Sequence, residues 1–380
     1  MNQRRNLLAV LAAAALAVPT TALAQGQGAA AGPIVIGQSA PLSGSNKDLG
    51  TDIRNGALAY FKRVNDAGGV NGRKIELVAL DDANDTKRSE ANTRQLLESN
   101  NPIALYGYGS ATLSRPALPL VEAARVPFVA PFTGADPMRK FNRYVYNHRA
   151  SYADELEKIV EHYTTFGVKR FAVLHYDDAV GKENFGAVER ALKARNLAPV
   201  AVAPVTRTQT DFAKELAAVG KSAPDVVIVT TLYKTSADFI KGLKKQGVGT
   251  QFVSTSFAGS TALANSLGAD GLGVAMAQVV PSYLRRSVPV VKEYQAAMEV
   301  AYGKKEFSYT SLESYIAAKV LVEGLRRAGP QPTREKLLAA LDSIAGYDVG
   351  GYVVSFSPSN HNGSNFVSLS ILGRDLAFRE

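Results

Sequence analysis

Hydrophobic and polar residues alternate in two patterns along residues 34–280. Short apolar runs, such as residues 34–36, 171–175 and 226–230, have the length and bulk of buried strands. Between them, apolar residues recur every three or four positions, which is typical of amphipathic helices. One such segment carries Ile53, Ala57, Tyr60, Phe61 and Val64. The succession of strand and helix predicts an α/β fold of mostly parallel sheets with right-handed crossovers.

This succession of strands and helices occurs twice. The first unit precedes Ser151, and the second runs from there to about residue 280. No sequence repeat links the two units. A chain of this length exceeds one ordinary hydrophobic core, so two domains are expected.

The order of elements changes after Pro281. Helices are predicted near residues 290–302, 311–328 and 334–344, and no strand separates the first two. These helices are therefore expected to return to the first unit. Late apolar runs at residues 352–356 and 366–372 are predicted to form a terminal hairpin.

Three crossings between the units are expected, near Ser151, Pro281 and Gly350. The predicted lobes are residues 33–150 with 281–350, and residues 151–280 with 351–380. Several crossings suit a clamshell that closes on a ligand.

The loops after two predicted strands, residues 103–105 and 127–130, hold mostly small and hydroxyl-bearing residues. They are Gly107, Gly109, Ser110, Ala111 and Thr112 after the first strand, and Thr133, Gly134 and Ala135 after the second. Ligands of parallel sheets bind outside the carboxyl ends of the strands, and small residues let a ligand approach backbone N–H groups. The loops therefore predict half of a cleft for a small polar or anionic molecule. Ordinary turns, which favour the same residues, are the other interpretation.

Aromatic residues lie at several predicted strand ends or crossings. They are Tyr108, Phe132, Tyr152, Tyr176, Tyr233 and Phe257. An aromatic ring with a polar tip suits a small ligand in a closing cleft, although any one of these residues could equally belong to the core.

The sequence gives little support for a catalytic or metal-binding site. The chain has no cysteine, and its four histidines lack metal-ligand spacing. The sequence around Ser110 lacks the second glycine of a nucleophile elbow, and there is no phosphate-binding or dinucleotide fingerprint. The acidic run Asp81, Asp82 and Asp85 is open to two interpretations, a cation site or turn and helix-cap chemistry. We expect no enzymatic activity, cofactor or metal.

The N-terminal 24 residues have the pattern of a cleavable signal peptide. Arg4 and Arg5 precede an apolar run at residues 7–18, and Ala22 and Ala24 form an A-x-A cleavage site. The run is too short to span a bilayer. Without a lipobox cysteine, the mature protein is expected to be periplasmic and neither lipid-anchored nor inserted in the membrane.

The formal net charge is +9, but the basic residues are scattered. No basic stripe with interleaved aromatic residues is present, so nucleic acid is not an expected partner.

Several segments together resemble the periplasmic solute-binding proteins of the branched-chain amino acid (Leu/Ile/Val-binding) ABC transporter family, which have the type I periplasmic-binding fold. The segments are IVIGQSAPLSG, NDAGGVNGRKIELVALDDAND, the loop around Ser110, VPFVAPFTGADPM, FNRYVYNHRASYADE and the strand end at Tyr233. The resemblance covers about residues 33–380. It implies two α/β lobes, each a mostly parallel sheet flanked by helices, with the ligand cleft between them.

The resemblance also implies site residues. In that family, backbone and hydroxyl groups of the first lobe hold the ligand carboxylate, at positions matching Ser110, Ala111, Thr112, Thr133 and Gly134 here. An aromatic residue at a strand end of the second lobe corresponds to Tyr233. The other cleft candidates are Tyr108, Phe132, Tyr152 and Phe257.

Two positions depart from the family pattern. Val180 replaces a tyrosine, and Ser256 occupies about the position of the acid that holds the ligand ammonium. A serine does not neutralise an ammonium as a carboxylate does. We therefore expect a ligand without that group, such as an aromatic or aliphatic acid. The alternative is that Asp178 or another acid reaches the same place from a different loop.

The resemblance implies a monomeric binding protein that delivers a small carboxylate-bearing solute, an amino acid or an organic acid, to an inner-membrane ABC permease. A sensory protein that presents its ligand to a membrane receptor is the alternative. An exported hydrolase on the same scaffold would require a nucleophile–base pair, which the sequence does not offer.

Overall fold

The computed structural model describes residues 32–44, 46–303 and 306–380. The predicted signal peptide lies outside the described residues. The strands, in chain order, are β1 (Ile34–Ala40), β2 (Ile75–Asp81), β3 (Ala104–Tyr106), β4 (Phe128–Val129), β5 (Val145–Tyr146), β6 (Phe171–Tyr176), β7 (Ala201–Val205), β8 (Val226–Val229), β9 (Gln251–Ser254), β10 (Ala275–Gln278), β11 (Tyr347–Asp348), β12 (Val353–Val354), β13 (Ser368–Leu372) and β14 (Phe378–Arg379).

Up to β10, the α-helices alternate with these strands as predicted, except between β4 and β5, which a short 3-10 turn separates. They are α1 (Lys47–Asp66), α2 (Thr86–Gln95), α3 (Ala111–Ser114), α4 (Leu118–Ala124), α5 (Tyr152–Thr165), α6 (Ala179–Lys193), α7 (Ala213–Lys221), α8 (Tyr233–Lys245), α9 (Ser260–Leu267), α10 (Pro289–Tyr302), α11 (Tyr309–Arg327) and α12 (Arg334–Asp342). The last three confirm the helices expected after Pro281. Within the described part of the chain, no helix is long and apolar enough to cross a membrane.

Two main sheets organise the molecule. The first sheet has the order β2-β1-β3-β4-β5, and all of its strands are parallel. The second sheet has the order β14-β13-β10-β9-β8-β6-β7. Its strands β6 to β10 are parallel, whereas β13 and β14 join one edge in antiparallel pairs. The mixed α/β fold class is therefore confirmed.

The expected terminal hairpin is wrong. Strand β12 pairs with β11, and β13 pairs with β10 and β14. A tight turn favours the first pairing, because Asp348 accepts hydrogen bonds from the backbone N–H groups of Gly350 and Gly351 at 2.8 and 2.6 Å. Strand β13 covers the edge of the second sheet instead, where its backbone groups find partners.

Helix α11 packs against α1, which follows the first strand of the first sheet. A side chain at Gly56 of α1 would meet the carbonyl oxygen of Ser311 at 2.1 Å, so glycine permits the close approach. Ser314 Oγ donates to the carbonyl oxygen of Ile53 at 2.5 Å, and Tyr106 OH donates to that of Ser314 at 2.5 Å. The C-terminal third of the chain thus completes the first half of the molecule.

The expected crossing segments lie side by side. Tyr352 OH donates to the carbonyl oxygen of His148 at 2.9 Å, and the N–H of Val290 donates to the carbonyl oxygen of Gly350 at 3.0 Å. The N–H of Asn147 also donates to the carbonyl oxygen of His361 at 2.8 Å. The exact lobe boundaries stay a prediction.

Candidate ligand-binding site

A cavity of about 260 Å³ lies among residues contributed by both sheets. Its lining follows the carboxyl ends of the strands, where the sequence pattern predicts a cleft. The lining residues include Asn84 after β2, Ser110 and Thr112 after β3, Phe132 after β4, Arg207 after β7, Leu232 after β8 and Ser256, Phe257 and Ser260 after β9. Helices α5 and α11 add Tyr152, Tyr309, Thr310 and Glu313.

Six of the predicted site residues line this cavity. They are Ser110, Thr112, Phe132, Tyr152, Ser256 and Phe257. The rings of Tyr152 and Phe257 meet edge to face with centroids 5.5 Å apart, so one aromatic wall joins α5 to the loop after β9. The Ser110 hydroxyl accepts a hydrogen bond from the N–H of Leu113 at 3.2 Å and caps α3. No described residue hydrogen-bonds to the Thr112 hydroxyl.

Tyr108 and Ala111 lie in the core of the first half rather than in the cavity lining. The Tyr108 hydroxyl is 3.0 Å from Thr93 Oγ1, and its ring packs edge to face on Phe128. Both residues are buried by packing around the end of β3.

Thr133 and Gly134 both hydrogen-bond to Tyr152. Thr133 Oγ1 donates to Tyr152 OH at 3.3 Å and accepts from the N–H of Ala135 at 3.1 Å. The N–H of Tyr152 donates to the carbonyl oxygen of Gly134 at 2.9 Å. A Cβ at Gly134 would lie 2.7 Å from that nitrogen, so only glycine allows the contact. Their ligand contacts stay a prediction.

Asp178 and Tyr233 lie beside the cavity rather than in its lining. Asp178 caps α6 by accepting from the N–H of Gly181 at 2.9 Å, and it pairs with Arg207 Nε at 2.7 Å. Arg207 is the member of this pair that lines the cavity. Tyr233 lines an adjoining cavity of about 340 Å³, which shares Leu232 and Thr310 with the first one.

The acidic residues Asp81, Asp82 and Asp85 stabilise the turn at the end of β2 and cap helix α2. Asp85 caps α2, Asp81 accepts hydrogen bonds from residues 42, 43 and 83, and Asp82 accepts from Ser39. Among the described residues, no group of three or more potential metal ligands is present.

Sequence reasoning missed a buried group that we call the Arg149 cluster, consisting of Arg149, Glu155, Ser256 and Glu313. Arg149 donates from Nη2 to Glu155 Oε1 at 2.7 Å and from Nη1 to Glu313 Oε1 at 3.2 Å. Arg149 Nη2 also donates to Ser256 Oγ. Ser256 in turn donates to Glu155 from its backbone N–H and its hydroxyl, both at 2.7 Å. An acid thus reaches Ser256 from another element, and it is Glu155 of α5 rather than Asp178.

The Arg149 cluster is nearly dry. The side chains of Arg149, Glu155 and Glu313 are 3%, 0% and 5% exposed. Burial raises the pKa of Glu313 to about 7, with Arg149 acting against this shift and Glu155 adding to it. Burial alone would lower the pKa of Arg149, but the two carboxylates raise it above its usual value. Burial lowers the pKa of the neighbouring His148 to about 3, so this imidazole is neutral.

One signal in the sequence could have pointed to Glu313. Glu313 is a charged residue among Leu312, Ser314 and Tyr315 in α11, and this helix is buried on nearly every face. A carboxylate in such a helix requires a partner, but the partner lies 164 residues away and cannot be read from the sequence pattern.

Comparison with known proteins decides the family. Residues 33–369 match the family model described as "Periplasmic binding protein". The chain belongs to this family. The periplasmic binding protein is similar to a substrate-binding periplasmic protein from Ralstonia solanacearum, at 32% identity over 90% of this chain and 98% of that chain, with a TM-score of 0.83.

Further relatives of this periplasmic binding protein carry more specific names. A possible leucine/isoleucine/valine-binding protein from Rhodopirellula baltica SH 1 is 28% identical over 91% of this chain and 95% of its own, with a TM-score of 0.85. An "Amino acid binding protein" from Pseudomonas aeruginosa is 26% identical and covers 83% of each chain. These matches confirm the Leu/Ile/Val-binding type and its type I fold. The family is one of solute-binding proteins rather than enzymes.

Proposed function

We propose that this periplasmic binding protein is the substrate-binding component of an ABC importer and captures a small carboxylate-bearing solute. The observation that carries the proposal is the cavity itself, to which loops of both sheets contribute walls. A ligand held by both walls stabilises the closed arrangement of two lobes, which is how a binding protein signals occupancy to a transporter.

The composition of the cavity supports a small, partly apolar ligand. Phe132, Tyr152, Leu232 and Phe257 provide apolar area, while a few hydroxyl and charged groups lie between them. Binding sites for small molecules typically combine a mostly apolar lining with few polar groups that fix orientation.

The loop after β3 supports recognition of a carboxylate. The resemblance implies that Ser110, Ala111 and Thr112 hold this group. Of these, Thr112 has an exposed side chain, and its hydroxyl is available as a donor to a ligand in the cavity. A hydrogen bond to a carboxylate contributes more than one between neutral groups.

A thermal-shift screen of the mature protein tests the ligand class. The panel comprises the standard amino acids and a set of aliphatic and aromatic carboxylic acids. A ligand at 100 times its dissociation constant adds about 2.7 kcal/mol of stability, which gives a clear rise in melting temperature. If no carboxylate raises the melting temperature while neutral sugars or polyamines do, the proposed ligand class is wrong.

A transport assay separates import from sensing. A strain lacking the gene should lose uptake of the radiolabelled solute that the screen identifies, and a plasmid copy should restore it. Unchanged uptake in the deletion strain would favour a sensory role. Size-exclusion chromatography with light scattering tests the expected monomer.

A further inference from the structure

Arg207 lines the cavity and uses only part of its guanidinium in contacts with the protein. Its Nε donates to Asp178 Oδ2 at 2.7 Å, whereas no described residue accepts a hydrogen bond from Nη1 or Nη2. The side chain is 38% exposed, so a solute in the cavity can reach these two nitrogens. The paired Nη groups of an arginine match the two oxygens of a carboxylate.

Two residues that the sequence pattern singled out hold this guanidinium in place. The ring of Tyr176 lies against it, with 4.4 Å between Arg207 Cζ and the ring centroid. Tyr176 is itself fixed, since its hydroxyl is 3.1 Å from Thr235 Oγ1 and accepts from the N–H of Leu232 at 3.2 Å. Asp178 is held as well, because it caps α6. A guanidinium positioned on two sides loses less conformational entropy when it binds a ligand.

The other charged residues of the cavity lining pair with each other. Among the described residues that line the cavity, the charged ones are Arg149, Arg207 and Glu313. Arg149 donates to Glu155, Glu313 and Ser256, so its charge is committed within the Arg149 cluster. Arg207 is therefore the lining cation that has donors left for a ligand.

Arg207 and Thr112 reach the cavity from different sheets. Thr112 follows β3, in the middle of the first sheet, whereas Arg207 follows β7, at one edge of the second sheet. The remaining lining includes the apolar side chains of Phe132, Leu232 and Phe257. A solute that satisfies both polar positions needs one acceptor group for each of them and an apolar part for the rest of the wall.

We propose that Arg207 binds a second acidic group of the solute, so that the ligand is a dicarboxylate rather than a monocarboxylate. This inference rests on the proposed function and narrows its ligand class. The loop after β3 holds the first carboxylate, and the Nη groups of Arg207 donate to the second one. The Asp178 side chain is 36% exposed, so water screens its charge and the guanidinium can serve both carboxylates.

Matched ligand pairs test the proposal on the unmodified protein. Calorimetry compares glutarate with pentanoate, terephthalate with 4-methylbenzoate, and glutamate with norvaline, since each pair exchanges one carboxylate for a methyl group. In the series that binds most tightly, the diacid should bind roughly 10- to 100-fold more tightly than the monoacid, the range for hydrogen bonds to a charged group. A monoacid that binds as tightly as its diacid overturns the inference and leaves the proposed function standing. If no carboxylate binds, both are wrong.

Arg207→Met tests the residue itself. The variant removes the charge, so diacid affinity should fall by about tenfold or more, while monoacid affinity should change less than about threefold. Arg207→Lys should recover only part of the loss, because it keeps the charge but not the paired donors. Arg195→Met is the control, since Arg195 pairs with Glu157 at 2.6 Å and does not line the cavity. Equal losses for the diacid and the monoacid in Arg207→Met would overturn the assignment of a second acidic group.

The salt dependence of binding gives a readout that a purely structural role would not change. Salt screens the attraction between Arg207 and an acidic group, so diacid affinity should fall as the sodium chloride concentration rises. This fall should be smaller in Arg207→Met than in the wild type, and Arg195→Met should behave as the wild type does. An identical salt dependence in Arg207→Met and the wild type would overturn the inference.

Discussion

Arg149 and Glu313 form a buried ion pair, with 3.2 Å between Nη1 and Oε1, that joins the connection before α5 to helix α11. The connection leads into the second half of the molecule, while α11 packs on the first half. The pair therefore links two parts of the chain at the edge of the cavity.

Arg149→Met should strongly destabilise the protein. The substitution leaves Glu155 and Glu313 buried without their cation, and removing one partner of a buried pair costs about 3–5 kcal/mol. Denaturant unfolding monitored by circular dichroism measures the loss. Arg94→Met is the control, since Arg94 makes an exposed pair with Glu90 and should cost less than about 1 kcal/mol. Equal losses in both variants would contradict the assigned importance of the cluster.

Glu313→Gln should change how stability depends on pH. The pKa of Glu313 is raised from 4.5 to about 7 in the folded protein, so the folded state binds the proton more tightly than the unfolded state. Its contribution is present below pH 4.5 and is lost as the pH rises to about 7, by on the order of 3 kcal/mol. The wild type should therefore lose stability relative to Glu313→Gln across this range.

The wild type must be compared with Glu313→Gln because other groups also change the pH dependence of stability. Burial raises the pKa of Asp52 to about 6, which acts in the same direction, whereas His148, with a pKa of about 3, favours stability at higher pH. The contribution of Asp52, which does not involve Glu313, cancels in the difference between the wild type and Glu313→Gln. Parallel stability curves from pH 4.5 to 8 would show that Glu313 has an ordinary pKa.

Thr112→Val and Thr133→Val should separate binding from stability. The Thr112 hydroxyl lines the cavity without a hydrogen-bond partner among the described residues, so its loss should weaken carboxylate binding by roughly 1.5–3 kcal/mol and change stability little. The Thr133 hydroxyl is buried and bonded to Tyr152 and Ala135, so its loss should cost about 1–3 kcal/mol of stability. Calorimetry and thermal unfolding of both variants measure the two effects. The opposite pattern would identify Thr133 as the ligand contact.

Gly134→Ala should weaken ligand binding through Tyr152. The new Cβ would lie 2.8 Å from Tyr152 Cδ1, which forces a lining residue to move. Gly186→Ala is the matched control, because its Cβ would lie 3.5 Å from an Arg190 side-chain nitrogen on an open helix face. The control should leave affinity unchanged and raise stability slightly, since alanine favours helices. Unchanged affinity in Gly134→Ala would show that the site tolerates this shift.

Ligand binding should make the protein more compact. The cavity draws walls from both sheets, so the ligand contacts all of them only when they approach each other. Small-angle scattering with and without a confirmed ligand should show a smaller radius of gyration in the bound state. An unchanged radius would count against closure.

The fold could be predicted from sequence because its signals are local. The apolar runs and helical periodicity that define β6, α6 and β8 each lie within one short window. The pairing of β13 with β10 could not be predicted in this way, since the paired residues lie 90 or more positions apart. Residues 366–372 were expected to pair with the nearby residues 352–356, because a local sequence pattern does not reveal a distant partner strand.

The site was predicted where it depends on strand ends and was missed where it depends on long-range charge pairs. Ser110, Phe132 and Ser256 follow strands, as predicted, and they line the cavity. Tyr108 also follows a strand, but its side chain points into the core. Arg149 and Glu313 lie far apart in sequence, and only the packing of α11 brings their charges together.

The close packing of α11 on α1 has a consequence for the order of folding. The first half of the molecule needs α11, whose contact with α1 spans 261 residues, and the second sheet needs β13, which begins at Ser368 near the C-terminus. Neither half buries its surface until most of the chain is available. Contacts of such high sequence separation slow folding, because the loop must close before the contact stabilises it. The protein should therefore fold as one late cooperative event rather than half by half during synthesis.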